Sequence, residues 1–315
     1  MFSHVAKRLA VLPIVLFGVS VIVFLALHLA PGNPALLLLG PLATPHELAT
    51  LTRQLGLERP LVVQYGDWLS SFVTGQWGQS IQMRTAVAPL VLSRFVNTVI
   101  LALAAFVVST LFGLVAGILA GSFPNRWPDA VVSMLDFLGL SVPVFWLGLL
   151  LVAAFALALP WFPVGGMYAI GVTPGLGQLL AHLVLPTFAL AVVPGSVVSQ
   201  IARNAIVEER AKPYVRTALS KGNSAWRALF VHALRNAWIP IVTTLGLEIN
   251  YLIGGDVLVE TVFNWPGIGQ LLVTSVVDRD YPVVLAGTMV LALVFVAVNM
   301  AVEVLYTAID PRIKA

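Results

Sequence analysis

The chain has 315 residues, 59% of them hydrophobic and 10% charged, with a formal net charge of +3. A soluble domain carries roughly a quarter charged residues, so this composition excludes a freely dissolved globular protein and points to a chain embedded in a bilayer. Cysteine is absent, which excludes disulfides, thiolate-bound zinc and thiol catalysis.

Apolar runs of about 20 residues can cross the ~30 Å hydrocarbon layer as helices, and six occur. The first, Leu9–Ala30, follows Lys7 and Arg8 and has the look of a signal peptide. At 22 residues, with the turn sequence PGNPA after it instead of a small-x-small cleavage site, it reads as a retained helix. Residues 31–94 form the largest segment outside the membrane. Its prolines at 31, 34, 41 and 45 and its GQWGQS read as turns, and Pro60 opens a short helix within LGLERPLVVQYGDWL. The segment is too small for a core of its own and is expected to cap the helix ends.

The second run is Phe95–Gly121. The third, Ala130–Leu159, is interrupted by Asp136 and Pro143, and the fourth, Leu180–Ile201, carries Pro186 and Pro194. The fifth, Trp238–Val259, holds Glu248 and Asp256, and the sixth, Val283–Ile309, holds Glu303. Strand-period alternation is absent, which argues against a barrel. The expected fold is an all-α integral membrane protein with six transmembrane helices. Its expected divisions are 1–30 (N-terminus and first helix), 31–94 (cap), 95–309 (five-helix core, including a loop at 202–237) and 310–315 (tail).

With the N-terminus in the cytoplasm, six crossings return the C-terminus there. The cytoplasmic segments then hold Lys7, Arg8, Arg126, Arg203, Arg210, Lys212, Arg216, Lys221, Arg227, Arg235, Arg312 and Lys314, twelve of the seventeen basic residues. Such clustering sets topology and gives no reason to expect nucleic acid as a partner.

Most of that charge lies in the loop 202–237. Pro213 suits the first position of a helix, and the run from Tyr214 to Lys221 continues it. Gly222-Asn223-Ser224 breaks it, with Ser224 placed to cap a second helix. That helix, Ala225–Asn236, sets Trp226, Leu229, Phe230, Ala233 and Ala237 on one face, and Pro240 is expected to open the fifth membrane helix. Two readings are open on these residues alone. The element rests on anionic headgroups of membrane lipid, or it fits a groove on a protein partner.

The block YVRTALSKG, followed by HALRNAWIPIVT, resembles the cytoplasmic signature of ABC importer permeases of the dipeptide, oligopeptide and nickel family. The N-terminal RLAVLPIVLFGVSVIVFLALHLAPGNPA, then LGLERPLVVQY, SVPVFWLGLLL, ETVFNWPGIGQLL, DRDYPVV and DPRIK, resemble the same family in the same order. The resemblance implies a type I importer fold. It also implies a coupling element docked on a separate ATPase, with Tyr214, Arg216, Thr217, Ala218, Lys221, Gly222, Trp226, His232, Arg235, Asn236 and Pro240 as its residues. It implies as partners a second permease of the family, two cytoplasmic ATPase subunits or domains, and an extracytoplasmic substrate-binding protein. Lys212 and Pro213 depart from the acidic pair that the family more often has before the tyrosine, and Ser220 replaces a common alanine.

The sequence itself contains no GxxxxGK[ST], HExxH or GxSxG, and its five histidines are scattered. No catalytic, cofactor or metal site is therefore expected. Glu248, Asp256 and Glu260 are spaced so that they fall on one face of a single helix. Carboxyls inside a bilayer usually face protein or a water-filled passage, so these read as pathway residues favouring cationic cargo, or alternatively as helix–helix struts. The expected function is import of di- or oligopeptides, with nickel or a metal chelate as the alternative cargo. An ion-coupled carrier using Glu248 and Asp256 would leave the basic block without a role.

Overall fold

The computed structural model describes the backbone of residues 2–29, 39–40, 43–54, 56–169, 171–253 and 257–309. The side chains of 2–11, 54, 253 and 303–309 fall outside the description. The described helices are α1 (Phe2–Leu29), α2 (Pro45–Gln54), α3 (Leu61–Val73), α4 (Val87–Ser122), α5 (Trp127–Ser141), α6 (Val144–Leu151), α7 (Leu176–Ala211), α8 (Pro213–Ser220), α9 (Ala225–Arg227), α10 (Leu234–Ile253), α11 (Val257–Val262), α12 (Ile268–Val277) and α13 (Tyr281–Ile309). Val152–Ala158 and Ala228–Ala233 are π-helical. No strand occurs among the described residues beyond a single Gln79–Ala86 bridge.

Among the described residues, five helices are long and apolar enough to cross a membrane, and six spans result if α5 and the α6 rod are one bent crossing. That bend is 104° and sits at Val142-Pro143. A residue before proline is pushed out of the helical region, and Val142 is extended, with ψ of 125°.

Several boundaries differ from the sequence reading. The second span starts at Val87 instead of Phe95, and the fourth runs on to Ala211 instead of stopping at Ile201. The fifth does not begin at Trp238. Ala225–Leu252 forms one apolar rod, and Pro240 lies inside α10. The proline removes one hydrogen bond, while Ala233, Ala237 and Ile241 hold the rod in the core. Pro45 opens a helix instead of a turn, because Thr44 and Glu47 form a reciprocal cap. The Thr44 N–H donates to Glu47 Oε2 at 2.9 Å, and the Glu47 N–H donates to Thr44 Oγ1 at 3.3 Å.

The chain forms two compact units. The first comprises residues 1–98 and 266–297, the second 99–265 and 298–315. In the first, α3 lies on α1, with Tyr65 hydrogen-bonded to Ser20 at 2.7 Å and set edge-on to Phe24. Phe72 and Trp77 stack at 5.1 Å and pack onto Val87, Val91, Ile268, Leu271, Val283 and Ala286. Buried Asp280 accepts from Ser80 Oγ and from the N–H groups of Ile81, at 3.1 Å, and Gln82, at 3.3 Å. The acid of DRDYP thus clamps the 80–86 loop to the start of α13.

In the second unit α7 packs against α10, α5 and α6. It also closely approaches α4, through Gly113, Gly117 and Gly121. A Cβ on Gly113 would stand 2.6 Å from Gly195 O, one on Gly117 would stand 2.7 Å from Ala202 Cβ, and one on Gly121 would stand 2.9 Å from Ile206 Cβ. Small residues every four positions let two membrane helices touch backbone to backbone.

Candidate functional site

The end of α7 is a stapled platform. The Arg203 guanidinium grips buried Asp129 of α5 in bidentate fashion through Nε and through Nη2, the latter at 2.8 Å. The Asn125 N–H donates to the same carboxylate at 2.8 Å. One helical stretch further along, Arg210 Nη1 donates to the carbonyls of Gly121, at 2.9 Å, and Ser122, at 2.6 Å. Those carbonyls end α4, where a cation also complements the helix dipole. These pairs explain why α7 continues past its apolar run. Its charges have partners.

Helix α8 is mounted on that platform. Lys212 stands at its N-cap position in an extended conformation and Pro213 takes its first turn. Val215 and Ala218 are buried, with Val215 in a cluster containing Ala202, Ala205, Ile206, Ala228 and Leu229. Tyr214, Arg216, Thr217, Leu219 and Ser220 face outward. The Tyr214 hydroxyl donates to Glu209, accepts from Asn236 Nδ2 at 2.8 Å, and has the His232 carbonyl 3.3 Å away. Lys212 Nζ donates to the same Glu209 carboxylate. Burial of the phenol, and then its bond to Glu209, push the Tyr214 hydroxyl above its ordinary pKa. The bond to Glu209 likewise holds the Lys212 ammonium up. Tyr214 and Lys212 therefore keep the protons that they donate to the Glu209 carboxylate at physiological pH.

The turn after α8 has the form its sequence anticipates. Gly222 adopts φ +86° with open space where a Cβ would stand, and Ser224 Oγ accepts from the Arg227 N–H at 3.3 Å. The expected face of the following helix is split. Leu229, Ala233 and Ala237 are buried, but Trp226 is 57% and Phe230 47% exposed, stacked on each other at 5.5 Å. Leu229, Phe230 and Ala233, drawn from both sets, lie within the π turn over 228–233, where the 3.6-residue period does not hold.

Comparison with known proteins decides what this arrangement belongs to. The family described as "Binding-protein-dependent transport system inner membrane component" matches residues 113–315, and its N-terminal counterpart matches residues 1–103. The chain belongs to this family. Relatives of the permease include the glutathione transport system permease protein GsiC of Escherichia coli K12, of Shigella dysenteriae serotype 1 and of Salmonella choleraesuis. Each is 40% identical over 314 residues, spanning 100% of this chain and 99% of the relative. A crystal structure of an amino acid ABC transporter with histidines shares the fold, at TM-score 0.50 and 17% identity over 71% of this chain and 94% of that one. The permease is thus a multi-pass component of a bacterial inner membrane, a subunit of an ABC importer.

The structure brings Tyr214, Asn236 and the His232 backbone of the permease together, with Arg216, Thr217, Lys221 and Gly222 on the outer side of the same element. Ala218 points inward, Trp226 stands beside Phe123 (6.3 Å between ring centres), Arg235 is exposed, and Pro240 lies further along α10. Glu248 lies on α10 and Glu260 on α11, both buried. Asp256 lies outside the described residues. Both Glu248 oxygens lack a hydrogen-bond partner among the described residues, whereas Glu260 is engaged by a neighbour. Glu209, Asp129, Arg203 and Arg210 were not read as a site from sequence. The seven-residue spacing of Arg203 and Arg210, which places both on one helix face, is the signal that could have found them.

Proposed function

We propose that the chain is the non-catalytic, pathway-forming subunit of a peptide importer, with small peptides of the glutathione kind as cargo. The end-to-end 40% identity to glutathione permeases carries the cargo reading. We place both termini in the cytoplasm, with the distribution of Lys and Arg as the support. The domain divisions at 31–94 and 202–237 follow that topology as cap and coupling region. The partners are a second permease of the family, two cytoplasmic ATPases and an extracytoplasmic binding protein.

Helix α8 is the ATPase-docking element. The observation that carries this is its mounting. A short helix is fixed by Val215, by the Tyr214–Glu209–Asn236 network and by the stapled end of α7, and it still presents Arg216, Thr217 and Leu219 outward. A rigid body displaced by nucleotide closure would transmit that displacement to α7 and α10. Glu248 is the acid that an amine-bearing cargo meets in the passage. Its support is a carboxyl buried to 6% exposure with no partner among the described residues, in a setting where such groups are functional by default. The docking test places a cysteine at Leu219 of this cysteine-free chain and attaches a photo-crosslinker in the assembled complex. The expected adduct is with an ATPase subunit. An adduct with lipid alone, in a complex that still hydrolyses ATP, overturns the docking.

A further inference from the structure

The first unit holds a polar cavity of about 310 Å³, remote in sequence from α8 and lined by Arg94, Gln82, Gln270, Thr274, Asp278 and Asp280 among others. Its charges are unevenly satisfied. Asp280 is engaged by Ser80 and by the N–H groups of Ile81 and Gln82. Arg94, on the first turns of α4, is half-buried, and no hydrogen bond or ion pair reaches its guanidinium among the described residues. Asp278, at the end of α12, is exposed, and its carboxylate has no ion pair among the described residues. Arg94 and Asp278 thus share one cavity, amid amides and hydroxyls, without being paired with each other.

A half-desolvated guanidinium is a fork of fixed N–H donors that matches a carboxylate in bidentate fashion. A bare anion would satisfy Arg94 but sit against Asp278 and Asp280, and a bare cation would do the reverse. The ligand that satisfies both ends carries a carboxylate and an ammonium. A dipeptide does so over a span of at most ~7 Å, and the cavity has room for it. We propose that this cavity binds the free termini of a short peptide, the C-terminal carboxylate on Arg94 and the N-terminal ammonium on Asp278. The assignment rests on the peptide-import reading and adds to it a site on the permease itself, distinct from whatever selection the binding protein makes.

The test uses the purified complex. Thr274 is exposed at the cavity, and Thr274→Cys places a lone thiol there. The rate of its alkylation by a charged maleimide is measured with no peptide, with dialanine, and with dialanine C-terminal amide. Dialanine at ten times its half-protecting concentration is expected to slow alkylation about 10-fold, as single-site occupancy requires. The amide is expected to need at least 10-fold higher concentration. Arg94→Gln and Asp278→Asn are each expected to lose the protection, and Arg94→Lys to retain part of it. Equal protection by dialanine and its amide, protection that survives Arg94→Gln, or no protection by either peptide overturns the site. ATP-driven uptake of labelled dialanine is measured in the same preparation. Uptake without protection removes the cavity and leaves peptide import standing. Protection without uptake removes the import reading and leaves the binding site.

Discussion

Gly117→Ala adds one methyl group where α4 and α7 touch. Its Cβ would lie 2.7 Å from Ala202 Cβ and closer still to Ser199 O. Carbon atoms rest at about 3.5–4.0 Å, and backbone atoms cannot swing aside, so the two helices must part by about 1 Å. Overpacking of this kind costs ~1–3 kcal/mol, against a gain of up to ~1 kcal/mol from replacing a helical glycine. With backbone on the far side of the clash the upper half of that range applies, so the net loss is about 1–2 kcal/mol, and Gly117→Leu exceeds it. By the scaling for domains of 150–250 residues, each kcal/mol is worth about 2–4 °C of melting temperature, giving a drop of roughly 2–8 °C for alanine. Gly177→Ala, on α7 with open space at its Cβ, is the control and should melt at or above the parent. The assay is thermal unfolding of the purified complex in detergent. If Gly117→Ala melts no lower than the parent, the close glycine contact does not hold these helices together.

Four further outcomes are expected. Gly222 sits at φ +86°, where a non-glycine residue costs ~1–2 kcal/mol. Gly222→Val should therefore leave insertion intact but reduce transport-coupled ATP hydrolysis, while Gly222→Asn, which tolerates that conformation, should keep most of it; equal activity of the two removes the turn's role. Arg203→Gln leaves the buried Asp129 charge without its ion-pair partner and should cost ~3–5 kcal/mol, read as a melting shift, with Asp129→Asn added to it recovering most of the loss. Glu248→Gln should leave the melting temperature unchanged or raised, since an unpartnered buried carboxyl is costly, while uptake of cationic peptides falls more than that of neutral ones; equal losses for both cargoes would show a structural strut. In intact cells, Gln76→Cys should react with an impermeant thiol reagent and Lys221→Cys should not, and the reverse pattern inverts the topology.

What could be read in the sequence was local. Pro213, Gly222 and Ser224 each act through a one-residue mechanism, so α8, its turn and its cap were legible. Pro143 was visible as an interruption, but the 104° bend was not, because its angle depends on what α5 and α6 pack against. The ten residues by which α7 outruns its apolar stretch were hidden because Arg203 and Arg210 look like loop charges until Asp129 and the end of α4 are brought to them. The Thr44–Glu47 cap was present in the sequence but overshadowed by nearby prolines. The exposure of Trp226 and Phe230 could not be foreseen, since a 3.6-residue period assumes there is no π turn. Nothing in the spacing of Gly113, Gly117 and Gly121 names α7 as the helix they touch.

In the function proposed above, this chain passes small peptides across the membrane at the expense of ATP hydrolysed by other subunits. The most direct measurement is uptake of labelled glutathione and dialanine into proteoliposomes holding the permease, its partner permease, the ATPases and the binding protein. The expected result is accumulation that requires both ATP and the binding protein, persists when the proton gradient is collapsed, and stops when the ATPase is disabled. Uptake driven by a proton gradient without ATP, or accumulation of neither peptide by a complex that hydrolyses ATP in response to its binding protein, would contradict it.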